Sequence, residues 1–79
     1  MIKLKTTEKS VRLVELENTL VIEVDRQLKK PEIKKEFEKY FGGKVKNMRT
    51  QIRANKKIVF IRLDESTPAI DIATKFGMI

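Results

Sequence analysis

Residues 30–43 constrain this chain more than any other stretch. Lys30-Pro31 opens a segment in which Ile33, Phe37, Tyr40 and Phe41 fall at offsets of four, seven and eight, and Gly42-Gly43 closes it. That spacing lays one apolar stripe along an α-helix, with Lys34, Lys35, Glu36, Glu38 and Lys39 on its wet side. Pro31 suits the first turn, where its missing N–H leaves no bond unmade, and Glu32 sits near the positive end of the helix dipole. A glycine able to take positive φ ends such a helix. The stripe therefore reads as core, with the Tyr40 hydroxyl at the rim, and not as an aromatic binding surface.

On either side the period changes from 3.6 to two. Thr19 to Asp25 alternates Leu20, Ile22 and Val24 with Thr19, Glu23 and Asp25, which predicts a half-buried strand. Beyond the glycines, Met48, Thr50 and Ile52 alternate with Asn47, Arg49, Gln51 and Arg53. Val45 is out of phase with that inner set, so an irregularity is expected near Lys46. Ile58 to Leu63 is β-branched and aromatic and predicts a third strand, joined to the second by a tight turn at Arg53-Ala54-Asn55-Lys56.

Two more helices are expected. Thr7-Glu8-Lys9-Ser10 resembles a helix start, and Leu13-Val14 breaks the alternation that a strand over Val11 to Leu16 would need. Thr67-Pro68 announces the other, with Thr67 or Ser66 as N-cap, Ile70, Ala73 and either Phe76 or Ile72 inward, and Gly77 as the stop. The order is helix, strand, helix, strand, strand, helix in a single domain, 1–79. It predicts an α+β fold: a three-stranded, mainly antiparallel sheet with helices packed on one face, in a ferredoxin-like split β-α-β topology. Met1, Ile2, Met78 and Ile79 are apolar ends able to pack on a neighbour.

Charge is distributed unevenly over this frame. The chain carries 18 Lys and Arg against 11 Asp and Glu, a net +7. Residues 26–62 hold thirteen of the bases and three of the acids, and Lys44 to Lys57 holds no acid at all. A basic segment on a folded domain points to a polyanion, most often nucleic acid. Arg49, Gln51 and Arg53 project from the solvent face of one strand, and Lys56 and Lys57 are expected to extend the strip along the hairpin. Arginine can fork two hydrogen bonds onto phosphate, and Gln and Asn can reach bases or 2′-hydroxyls. Phe60 is the lone strand aromatic, so the composition favours shape and phosphate contacts over base stacking.

Several chemistries are excluded or disfavoured. The sequence has neither Cys nor His, which removes Cys/His nucleophiles, histidine bases and the usual zinc sites. Asp64-Glu65 is the one close acidic pair after a strand, and adjacent residues on an extended chain point to opposite faces. Gly42-Gly43 follows a helix instead of preceding one, so it forms no phosphate cradle. The longest apolar run, Ile58 to Ile61, is far too short to span a membrane. No leader pattern is evident, so a cytoplasmic location is expected, with no cofactor, no metal, no membrane insertion and no small-molecule substrate.

Taken in order, the motifs resemble a known family. Thr7-Glu8-Lys9, then Lys30-Pro31-Glu32-Ile33-Lys34-Lys35, then Val45 to Thr50, Lys56-Lys57 and Val59-Phe60-Ile61-Arg62-Leu63 lead to the ending Ala69-Ile70-Asp71-Ile72-Ala73-Thr74-Lys75-Phe76-Gly77-Met78-Ile79. In that order and spacing they resemble large-subunit ribosomal protein twenty-three, in its short archaeal and eukaryotic form, over nearly the whole chain. The chain departs from the family at the hairpin tip, where Arg53-Ala54-Asn55 replaces a glycine-containing turn.

The resemblance implies a structural, non-enzymatic component of the large ribosomal subunit, beside the peptide exit tunnel and bound to large-subunit rRNA. Neighbouring ribosomal proteins would be its other partners. It also implies a docking surface for nascent-chain factors, including the signal recognition particle, with Glu8 at the matching position. First-turn helix charge is an equal account of Glu8. The RNA-binding expectation rests on Lys44, Lys46, Arg49, Gln51, Arg53, Asn55, Lys56 and Lys57, with Lys3, Lys5, Thr7 and Lys9 as a second strip. The residues alone leave two rivals open: a small RNA- or DNA-binding regulator outside the ribosome, and an acid-binding protein-interaction module.

Overall fold

The computed structural model describes residues 3–5 and 7–76. Seven elements run in the order β1 (Lys3–Leu4), α1 (Glu8–Glu17), β2 (Thr19–Asp25), α2 (Lys30–Phe41), β3 (Val45–Arg53), β4 (Lys56–Leu63) and α3 (Ala69–Lys75). The sheet order is β1-β2-β4-β3, and each neighbouring pair is antiparallel. β2 and β3 are therefore parallel with β4 between them, and α2 makes the crossover of a split β-α-β unit.

The three-stranded expectation needs correction, because the sheet has four strands. β1 escapes a sequence reading since two residues carry no period. Its register, Lys3 with Glu23 and Leu4 with Ile22, is set by a partner strand some twenty residues away. The chain then continues along β2, with the Lys5 amide donating to Val21 O at 2.9 Å.

Alternation decides the two faces of the sheet. Leu20, Ile22 and Val24 of β2 and Val59, Ile61 and Leu63 of β4 point to one side, all buried, and pack with Ile33 and Phe37 of α2 and Ala69, Ile72 and Ala73 of α3. Phe41 closes this core at its border, 4.8 Å from the Phe37 ring and 4.6 Å from the Phe76 ring. Tyr40 departs from the expected stripe: it is 62% exposed, because Phe41 takes the inward position one turn after Phe37. Ile52 also lies open, at the strand end beside the turn.

α1 packs against α3 as well as against the sheet. It lies along β2 beyond the end of β1, sending Val14 into the core and Leu13 towards the opposite side of the sheet. Its first turn is capped as its sequence suggests, with Thr7 Oγ1 accepting the Ser10 amide at 3.2 Å. The buried Ser10 hydroxyl lies 2.9 Å from Lys5 O and 2.8 Å from Thr7 O, tying the strand exit to the helix start.

α2 ends at Gly42 (φ 71°), whose amide donates to Glu38 O at 3.0 Å. Gly43 serves a different purpose, close approach: a Cβ there would stand 3.0 Å from Ile72 Cδ1 and 3.2 Å from Thr67 Cγ2. The expected irregularity near Lys46 is a register shift between Val45 and Asn47. The hairpin turn has positive φ at both central residues, Ala54 (48°) and Asn55 (65°), the conformation that matches the twist of the flanking strands.

α3 corrects two expectations. Its N-cap is Pro68, which has no side-chain acceptor, and neither Thr67 nor Ser66 caps it. The acceptor is Asn18 Oδ1, from the C-cap of α1, which takes the Ala69 amide. The Asn18 amide nitrogen also lies 3.1, 3.2 and 3.3 Å from the carbonyls of Leu63, Asp64 and Thr67. Ala69, Ile72 and Ala73 face inward, whereas Ile70 is 43% exposed. Gly77 and the apolar ends Met1, Ile2, Met78 and Ile79 lie outside the described residues.

Candidate nucleic-acid interface

The face of the sheet turned away from α2 and α3 gathers the charge. Cross-strand pairing builds it in rows: Arg49, Phe60 and Val21; Gln51, Ile58, Glu23 and Lys3; Arg53, Lys56 and Asp25. Asn47, Arg62 and Thr19 form a further row towards the bulge. Phe60 and Ile58 are half-buried and Val21 is buried, so an apolar floor lies under polar side chains. The Arg49 guanidinium stands 4.9 Å from the Phe60 ring centroid, a cation–π stack that holds its charge over the central strand.

α1 turns this floor into a groove. Lys5, Thr7, Lys9 and Leu13 stand on one bank and Gln51, Arg53 and Lys56 on the other, around a volume of about 390 Å³. The two basic strips, forty residues apart in sequence, thus meet at one place. Glu23 lies between them, with Lys5 Nζ at 3.6 Å and Lys56 Nζ at 3.5 Å. Ion pairs at a partly wet surface contribute little stability, so these lysines remain available to an incoming anion.

The remaining candidates lie elsewhere. Lys3 stands at the far rim beside Asn55 and Lys56, and the Asn55 side chain accepts from Arg26 at 3.1 Å. Lys44 and Lys46 are at the opposite end of β3 from the hairpin tip. The expectation that Lys57 extends the strip beside Lys56 is corrected: successive strand residues face opposite ways, and Lys57 Nζ donates to Leu28 O on the helix side. Glu8 is exposed on the first turn of α1, away from the ion pairs found among the described residues.

Asp64 is occupied structurally. Its Oδ1 accepts the Ser66 amide at 3.0 Å, and its carbonyl accepts the Thr67 amide at 2.9 Å. The Ser66 hydrogen bonds hold its carboxyl below the ordinary value, with Lys44 and Lys46 adding a smaller pull in the same direction. Among the described residues no group of three or more Asp or Glu side chains is placed to hold a metal ion.

Sequence reasoning missed the floor of the groove, together with Arg62 and Glu23. A signal was present in the continuous apolar run Ile58-Val59-Phe60-Ile61. A strand covered on one face alternates, whereas an unbroken run marks a strand with cover on both.

Comparison with known proteins adds an independent line. The profile of the family described as ribosomal protein L23 matches residues 1–73. The large ribosomal subunit protein uL23 of the ciliate Tetrahymena thermophila is 41% identical over 76 residues, covering 94% of this chain and 50% of that protein. The protein of the same name from Caldivirga maquilingensis is 40% identical over 74 residues, covering 92% of this chain and 86% of its own length. That of Methanothermobacter thermautotrophicus is 35% identical over 79 residues, covering 99% and 92%. The chain therefore spans half the length of the ciliate relative and nearly all of the two archaeal ones.

Proposed function

The chain belongs to the ribosomal protein L23 family, and on that premise we propose that it binds large-subunit rRNA beside the peptide exit tunnel through the face of its sheet turned away from α2 and α3. It is a structural, non-enzymatic protein of the large ribosomal subunit, at work in the cytoplasm. In this reading the fold is ferredoxin-like, with β1 from the front of the chain in the place of that fold's fourth strand.

One observation carries the reading. Lys5, Lys9, Arg49, Arg53, Lys56 and Arg62 gather on one face, with Glu23 and Asp25 the acids in its strand rows. Such a surface neutralises phosphates and positions them without reading sequence. Lys44 and Lys46 extend the contact past the bulge. The exposed Glu8 offers a charged point for nascent-chain factors, among them the signal recognition particle.

The test is binding to an rRNA fragment from the tunnel-exit region across a salt series, with scrambled RNA as competitor. If about five phosphates are neutralised, log K against log salt slopes near −4, and Arg49→Ala or Arg53→Ala flattens it by about one unit each. A preference of about a hundredfold for the cognate fragment supports the ribosomal site. Equal binding of both RNAs, or of an acidic polypeptide of matched charge, returns the face to a generic cationic surface.

A further inference from the structure

The groove between α1 and the hairpin is more than a row of cations. Phosphate contacts need exposed charge alone, yet this groove has an apolar floor of Val21, Ile58 and Phe60, with Leu13 on its α1 bank. At about 390 Å³ it falls within the ~300–1,000 Å³ of small-molecule sites. An apolar floor ringed by cations is complementary to one ligand chemistry on an RNA: a flat heterocycle carried by a phosphodiester. We infer that the groove takes a single unpaired nucleobase turned out of its helix, with the flanking phosphates on Lys5, Lys9, Arg53 and Lys56.

Glu23 gives the groove a preference among bases. Its side chain is 17% exposed and engages Lys5 and Lys56 at 3.6 and 3.5 Å. A carboxylate has about four acceptor positions, so it keeps capacity for further donors. Guanine alone among the four bases presents two adjacent donors on its Watson–Crick edge, N1–H and the N2 amine. Its O6 then meets an ammonium group or the Gln51 amide. Uracil, with a single donor between two carbonyls, sets an oxygen against the carboxylate and is disfavoured. Stacking here needs no array of aromatics, because one ring is held by Phe60 and the aliphatic floor, while Arg49 packs on the Phe60 ring.

This inference rests on the rRNA-binding reading, and the experiment separates the two. Four short RNA hairpins, identical except at one site, carry a bulged guanosine, a bulged uridine, a bulged abasic residue or no bulge. Binding to the whole protein is measured at fixed salt, while the methyl resonances of Val21, Leu13 and Ile58 are followed by NMR. The expected result is a bulged-guanosine affinity about tenfold above the abasic and fully paired RNAs, with upfield ring-current shifts at those methyls. Glu23→Gln is expected to narrow the guanosine-over-uridine preference, and Phe60→Leu to reduce the bulge effect while its unchanged amide spectrum certifies the fold. Equal binding of all four hairpins with unmoved methyls overturns the base pocket and leaves the phosphate-binding face intact. Binding of none overturns both.

Discussion

The two faces of the sheet are built from the same four strands and obey different rules. On the closed face, Leu20, Ile22, Val59 and Ile61 are fully buried under α2 and α3, and beside them Gly43 approaches Ile72 and Thr67 too closely to leave room for a side chain. On the open face, Val21, Ile58 and Phe60 are apolar as well, but the cover is partial and the neighbours are charged. One face spends its hydrophobic surface on holding the chain together. The other keeps part of it in reserve beside cations. Apolar residues on both faces of a strand thus need not mean two cores.

The largest expected effect separates the faces directly. Phe37→Ala empties a fully buried position and is expected to cost about 3–5 kcal/mol in denaturant unfolding. Phe60→Ala, half-buried and next to an open groove, is expected to cost less than half as much, because solvent and Arg49 can refill the space. Equal losses would break the comparison and make the open face a second core.

Asn18 is the next sharpest probe, since it fastens the closed face at one corner. Asn18→Ala removes the α3 cap and places alanine at φ 50°, with an expected loss of about 2–3 kcal/mol by thermal unfolding. Asn18→Gly keeps the left-handed conformation without strain and loses only the side-chain hydrogen bonds. The difference between the two variants measures the strain term alone.

At the hairpin tip, Ala54 sits at φ 48° with no side-chain group to compensate. Ala54→Gly is expected to stabilise the protein by about 0.5–1 kcal/mol and to leave the RNA salt slope unchanged. A changed slope would mean that turn geometry, and not only charge, sets the interface.

The smallest effect concerns pH. Because the folded state holds the Asp64 carboxyl below its ordinary value, its contribution is present above the unfolded pKa and is lost as pH falls through the folded one. Asp64→Asn is expected to flatten the acid limb of the stability profile slightly below its ordinary value of 3.8, and to change little at neutral pH.

Local order was legible in the sequence where it depends on neighbours in the chain. The α2 stripe, the Thr7 cap, the irregularity near Lys46 and the turn at Ala54-Asn55 follow from spacing and residue type within a few positions. What escaped depends on contacts far apart in sequence. β1 exists only because β2 offers it an edge, and α3 takes its cap from a residue 51 positions earlier. The groove needs α1 to stand over the hairpin, so no local period announces it. Lys57 was legible in principle, since period two sets it opposite Lys56. The acid-free run of charge obscured that alternation.

Asn18 also couples two helices that lie far apart in sequence. Its side-chain carbonyl, at the end of α1, has its amide partner 51 positions later, at the start of α3. α3 has neither an N-cap of its own nor eight residues of length, and a helix so short is marginal in isolation. Its place in the fold rests on Asn18, which receives its first amide, and on Ala69, Ile72 and Ala73, which pack into the core. One asparagine thereby joins the end of α1 to the start of α3, and the closed face depends on a contact between residues 51 positions apart.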